Sequence, residues 1–219
     1  MPSALIIGGH GKVALLAAPM LGDLGFSVTS VIRNTDQSTD IEATGATPLV
    51  LDITRVTPGE WDTLLAGFDV IVWSAGAGGG SPERTYAVDR DAALTVIDSL
   101  ERLRDAGKTP RFINVSRRGA TTHQVPEDDP FFPYADAKKT VDDRLNSTEG
   151  LEYLILGPSA LTAEPAVGYA VPSESLPLEA SHTSRELVAE IITVFADRSS
   201  LPRERTVEFV DGYLPASEI

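Results

Sequence analysis

SALIIGGHGKVA, residues 3–14, decides the fold. Ala4–Ile7 reads as a short buried strand, and Gly8, Gly9 and Gly11 then crowd three glycines into four positions. From Val13 to Leu24 apolar residues recur at helical spacing, and the pattern ends at Gly25. A chain puts its most flexible residues between strand and helix for one of two reasons. Either the turn must be tight, or something must come very close to the backbone.

Working outward, strand-like and helix-like segments alternate. Ser27–Ile32, Thr47–Leu51, Phe68–Trp73, Arg111–Val115, Leu151–Leu156 and Thr206–Val210 read as strands. Helical patterns cover a short piece at Ile41–Ala43, then Trp61–Ala66, Glu83–Ala106, Ala135–Leu145 and Ser184–Phe195. Repeated strand–helix units imply parallel strands joined by right-handed crossovers. The expected fold class is therefore α/β: a Rossmann-type doubly wound sheet with helices on both faces and a small C-terminal substrate-side segment. The expected organisation is a single domain over 1–219. Residues 158–181, rich in Pro, Ser, Glu and Ala, form the least regular part. They are too long for a mere connection and read as a lid or substrate wall, with a plain surface loop as the alternative.

Of 219 residues, 42% are hydrophobic and none is cysteine, which excludes disulfides, thiolate catalysis and cysteine-ligated metals. No basic n-region opens the sequence, and no run approaches the roughly 20 apolar residues of a membrane span, so a cytoplasmic location is expected. A net charge of −14 repels nucleic acid and anionic membranes, leaving a small molecule as the expected partner and a monomer or homodimer as the expected state. A bound phosphate would need a local exception built from backbone N–H groups and a few arginines.

The glycine turn supplies one. Gly8, Gly11 and Ala14 follow the first strand at G-x-x-G-x-x-A spacing, and in doubly wound sheets ligands sit beyond the carboxyl ends of the strands. The first glycine turns the chain, the second admits a pyrophosphate, and the small third residue lets helix pack on strand. Gly9, His10, Lys12 and Val13 complete the turn and the helix start, whose free N–H groups and positive dipole end suit an anion. NAD-binding chains usually place an acid about 20 residues on, to hold the ribose 2′-OH. Here the second strand runs into Arg33 and Asn34. Arginine suits a 2′-phosphate, so NADP(H) is favoured, while Asp36 three residues later keeps NAD(H) as the alternative.

Taken with VIRN, LVLDIT, VIVWSAGAGGG, YAVDRDAALTVIDSL, RFINVS, PYADAKK, LEYLILGPSAL and SHTSRELVA, the chain resembles the atypical short-chain dehydrogenase/reductase superfamily, in its NAD(P)-binding NmrA-like and epimerase-like group. The resemblance covers nearly the whole length. It implies that Asp52 and Ile53 lie against the adenine, that Ser74, Ala75 and Gly76 line the central part of the cofactor, and that Trp73 sits near it. Gly76–Gly80 would be a second flexible turn on the same rim, or a plain loop. Asp89 falls where many relatives carry an asparagine that steadies the active-site lysine through water; a charge on the helix face is the preferred reading.

The resemblance also gives a role to Tyr134-Ala-Asp-Ala-Lys138. Positions i and i+4 share a helix face, so phenol and ammonium can meet over the nicotinamide. Tyr134 would exchange a proton with a substrate oxygen while hydride moves, and Lys138 would support it and hold the nicotinamide ribose. Relatives tend to carry V-S-S after the fifth strand, the second serine binding the substrate oxygen. This chain reads Val115-Ser116-Arg117-Arg118, which sets Arg117 on that position. Ser116 replaces the serine only if the backbone shifts; otherwise Arg117 binds an anionic group, or redox chemistry is lost. In LILGPSA, Gly157 stands where relatives often have arginine, while Pro158 and Ser159 would still adjoin the nicotinamide amide.

No G-x-S-x-G elbow is present, and His10, His123 and His182 are too scattered for a metal motif. His123 reads as a solvated loop histidine, and Glu127, Asp128 and Asp129 as surface charge and helix-start signals. The reading is an NADP(H)-dependent oxidoreductase acting on a small carbonyl or alcohol, with a catalytically silent NAD(P)-binding sensor or regulatory protein as the alternative. A nucleotide-sugar epimerase ranks third, because the roughly 60 residues after Pro158 leave little room for a sugar-nucleotide domain.

Overall fold

A computed structural model of the chain describes residues 1–219 except Glu174. The first half runs β1 (Ser3–Ile7), α1 (Lys12–Asp23), β2 (Ser27–Ile32), α2 (Ser38–Ala43), β3 (Thr47–Val50), α3 (Pro58–Leu65) and β4 (Val70–Trp73). Next come α4 (Pro82–Thr85), a π-helical segment Tyr86–Ala92, α5 (Ala93–Asp105), β5 (Arg111–Val115) and α6 (Phe132–Asn146). The remainder is β6 (Tyr153–Pro158), β7 (Ala160–Thr162), β8 (Tyr169–Ala170), β9 (His182–Ser184), α7 (Arg185–Asp197) and β10 (Thr206–Asp211).

Alternation in β1 sends Ala4 and Ile6 to one face of the sheet and Leu5 and Ile7 to the other. A strand apolar on both faces needs a helical layer on each. Residues of α1, α2 and α7 close the first face, including Leu21, Ile41 and Ile191. Those of α3, α5 and α6 close the second, including Trp61, Ile97 and Leu145. Each such fully buried aliphatic side chain contributes roughly 1.5–3 kcal/mol.

The sheet order is β3-β2-β1-β4-β5-β6-β10-β8. All neighbours pair in parallel except β8, which runs antiparallel to β10. This is the doubly wound α/β fold that the alternation predicts. The chain steps outward from β1 to β3 and then returns to β4 on the other side of β1. The strand order therefore reverses between the carboxyl ends of β1 and β4, where a crevice opens.

Two parts differ from the sequence-based expectation. The helix anticipated over Glu83–Ala106 is interrupted by the π-helical segment, in which Asp89 is buried. The irregular stretch after β6 contains β7 and β8, and β7 pairs with β9 in a small two-stranded sheet. Arg118 ties this stretch down, its guanidinium donating to Ser181 Oγ at 3.1 Å and to the carbonyls of Leu176 at 2.9 Å and Ser173 at 3.2 Å. Among the described residues, no helix is long and apolar enough to cross a membrane.

Candidate active site

The glycine turn is built partly against the protein itself. Gly8 has φ +89°, and a Cβ there would stand 2.5 Å from Ala75 Cα. A Cβ on Gly9 would meet Ser30 Cβ at 2.5 Å, so Gly9 packs on β2 and does not line the cleft. Gly11 differs. It borders the cleft, and its amide donates to Gly8 O at 2.9 Å. It also precedes α1 without any side-chain cap, which leaves the first N–H groups of that helix free for an anion. The tight turn therefore accounts for Gly8 and Gly9, while Gly11 stands at the open end of the helix.

Two cavities of about 580 and 490 Å³ share Gly11, Ser74, Ala75 and Gly76 and form the halves of one cleft. The outer half is walled by Gly8, His10, Arg33, Asp52 and Ile53. Arg33 is exposed and has no hydrogen-bond or ion-pair partner among the described residues. Asp36, the nearest acid, turns its carboxylate to Asn34 Nδ2 at 3.2 Å and does not border this cavity. His10 is held between Gln37 Nε2, which donates to Nδ1 at 3.1 Å, and Asp40 Oδ2, which accepts from Nε2 at 2.8 Å. Asp52 accepts from Thr54 Oγ1 and Thr54 N–H, and these bonds, with the Arg55 and Arg33 charges, hold its carboxyl below the usual range.

The inner half brings together Lys12, Val13, Gly76–Gly80, Val115, Ser116, Tyr134 and Lys138. Lys138 is buried. Its Nζ donates to Val115 O at 3.0 Å and lies 5.9 Å from the Tyr134 ring centre. Asp89 is 2% exposed, so the helix-face reading is corrected. Its Oδ2 accepts Ala77 N–H at 2.8 Å, and its Oδ1 stands 4.0 Å from Lys138 Nζ. Asp89 lies within the π-helical segment, whose wider turn changes which side chains share a face.

Ser116 lies in the cleft, but its hydroxyl donates to the buried Asp142 Oδ2 at 2.5 Å. Asn114 Nδ2 donates to the other oxygen at 2.9 Å. Burial pushes the Asp142 carboxyl up to about 7, against the Ser116 bond and the Lys138 charge, which pull it down. Arg117 does not line the cleft. Its guanidinium lies 5.4 Å from the ring centre of Phe131, which does, and its Nε is enclosed without a partner among the described residues.

Pro158 and Ser159 also stand outside the lining, Ser159 bonding to Thr183 and Ser181. Trp73 points into the core beside Leu5 and Ile71. At Gly157, a Cβ would meet Glu208 Cγ at 3.0 Å, so Glu208 takes space that a side chain there would need. His123 is half-buried rather than solvated. Its ring packs edge-on to Phe132, and burial, followed by the Arg117 charge, lowers its pKa. Asp129 accepts Phe131 N–H at 2.8 Å in the turn before α6, whose first residues carry no side-chain cap.

Leu161 and Arg185 line the inner half although the sequence reading passed over them. Arg185 is half-buried, has no hydrogen-bond or ion-pair partner among the described residues, and opens α7. A cation in the first turn opposes the helix dipole, and that was the signal available.

The donor set fits a dinucleotide: an open helix N-terminus, a glycine that keeps the path clear, and a free arginine at the outer end. A family model described as NAD(P)H-binding matches residues 8–198. The chain is 32% identical to UPF0659 protein C216.03 of Schizosaccharomyces pombe, over 96% of this chain and 90% of that one. It is 29% identical to the uncharacterized sugar epimerase YhfK of Bacillus subtilis, over 97% and 96%. A candidate NAD-dependent epimerase/dehydratase from Bacillus halodurans superposes with a TM-score of 0.82 at 24% identity, over 100% of this chain and 98% of its own. With a match across most of its length and an uncapped glycine turn at its switch point, this chain belongs to the NAD(P)H-binding family.

Proposed function

We propose that the protein is an NADP(H)-dependent oxidoreductase acting on a small carbonyl or alcohol. One observation carries the reading: Tyr134 and the buried Lys138 face the same cleft as the glycine turn. Gly8, Gly11 and the α1 N-terminus would receive the pyrophosphate, Arg33 the 2′-phosphate, and Ser74–Gly76 the middle of the cofactor. When bound, the nicotinamide supplies or accepts a hydride. The chain moves the proton. Tyr134 gives one to the substrate oxygen in reduction and takes it back in oxidation. Lys138, steadied by Val115 O and Asp89, offsets the charge left on the phenol oxygen. Phe131, Pro133 and Leu161 give this half of the cleft an apolar wall.

The test is a screen of aldehydes and ketones with NADPH, run on the wild type and on Tyr134→Phe. General acid–base catalysis contributes about 10²–10⁴-fold, so turnover should fall by that factor while NADPH affinity holds. Equal turnover in both proteins would remove Tyr134 from the chemistry. The second reading, a catalytically silent NAD(P)-binding sensor, draws on the Ser116 proton being committed to Asp142 and on Arg117 standing outside the cleft. NADPH binding without turnover of any substrate would favour it.

A further inference from the structure

We propose that Asp142 sets the hydrogen-bond polarity that Ser116 presents to the cleft, so that Ser116 accepts there when Asp142 is ionised and donates there when Asp142 is neutral. A hydroxyl has one proton. With Ser116 Oγ 2.5 Å from Asp142 Oδ2, an ionised Asp142 can only accept that proton, and Ser116 offers the cleft lone pairs alone. Such a serine suits an incoming O–H or N–H and cannot donate to a carbonyl oxygen. If Asp142 takes up a proton from solvent, the carboxyl O–H donates to Ser116 Oγ, and the serine proton turns to the cleft. Asn114 Nδ2 already donates to Asp142 Oδ1, which leaves Oδ2, the oxygen facing Ser116, to carry that proton.

The surroundings keep both states within reach. Asp142 is 1% exposed. Charged groups around it are Lys138 one turn earlier and Asp143 beside it on α6, with Asp89 of the π-helical segment beyond Lys138. On the α5 side, Asp98 and Glu101 are taken up by Arg144. β5 and the residue after it contribute only the neutral Asn114 and Ser116. Burial opposes ionisation while Lys138 favours it, and the balance falls near neutrality.

Asp142 is thus a positioning residue, acting through Ser116. Its effect on turnover rests on the oxidoreductase reading; its effect on the serine does not. Carboxyl-¹³C aspartate NMR of the whole protein tests the second point directly, with the Asp142 signal identified by its loss in Asp142→Asn. The signal should titrate near pH 7. Ser116→Ala removes the hydrogen bond from both states, and because the charge-assisted bond to the ionised form is roughly twice as strong, the midpoint should rise by up to about one unit. Ser116→Gly serves if the alanine variant does not fold. A midpoint in the ordinary carboxylate range, or one unmoved by loss of the hydroxyl, overturns the proposal.

Turnover adds a second arm. Carbonyl reduction by wild type should fall about tenfold per pH unit above the Asp142 midpoint, and this limb should be absent from Asp142→Asn, whose amide donates to Ser116 at every pH. An unchanged limb in that variant also overturns the proposal. If wild type reduces no carbonyl, the oxidoreductase reading fails, and the NMR titration still decides the serine's polarity.

Discussion

The Lys138 ammonium lies 4.0 Å from Asp89 Oδ1, and Asp89 Oδ2 accepts the Ala77 N–H at 2.8 Å. One buried carboxylate therefore joins the lysine on α6 to the glycine-rich rim after β4. Replacing it with alanine strands a buried cation and a buried amide together. Asp89→Ala should destabilise the fold by about 3–5 kcal/mol, the usual effect of removing one partner of a buried pair. Asp89→Asn keeps an acceptor for Ala77 and should lose less. Denaturant unfolding of the three proteins checks the order; equal stability would mean that Asp89 does not hold Lys138.

Gly8 and Gly11 of the first turn should fail differently. Gly8→Ala combines a left-handed φ of +89° with a contact of 2.5 Å to the Ala75 backbone. Left-handed backbone costs about 1–2 kcal/mol for a residue with a Cβ, and overpacking about 1–3 more, so a large fall in melting temperature is expected. At Gly11, φ is −65° and the nearest contact, Gly8 O, is 3.1 Å away. Gly11→Ala should therefore fold and lose cofactor affinity. Thermal melts paired with NADPH titrations separate the two; a Gly11→Ala protein that binds as wild type would remove the pyrophosphate from this turn.

Stability should carry the mark of Asp142. Its folded carboxyl is raised to about 7, and unfolding returns it to the ordinary range. Between those values the folded state holds a proton that the unfolded state releases. Stability from this group is thus full at low pH and falls by about 1.4 kcal/mol per unit as pH rises through the window, levelling above the folded value. Asp142→Asn abolishes the titration. The stability difference, wild type minus variant, should decline from pH 5 to 7 and then flatten; a constant difference would show that Asp142 is ionised throughout.

Strands buried on both faces were legible because periodicity and composition are local. Ser27–Ile32 and Arg111–Val115 have the boundaries that their β-branched and apolar runs indicate. Gly8, Gly11, Tyr134 and Lys138 stood out by fixed spacing alone, and the fold brings them to the two halves of one cleft. What the sequence hid depends on pairings between distant residues. A π-helical segment has no period distinct from its flanks over seven residues, so Asp89 read as a surface charge. The Ser116–Asp142 bond spans 26 positions, and Arg185 reaches the cleft only because β9 delivers α7 to its rim.

Calorimetric titration of NADPH and NADH, on wild type and Arg33→Ala, tests the central claim most directly. One charge-assisted contact to a 2′-phosphate is worth about 1.5–3 kcal/mol, so wild type should prefer NADPH by about ten- to a hundredfold, and Arg33→Ala should lose that preference without weakening NADH. Equal affinities in wild type, or a preference that survives without Arg33, would contradict the assignment of the outer cleft. Absence of binding by either nucleotide would contradict the account of the site as a whole.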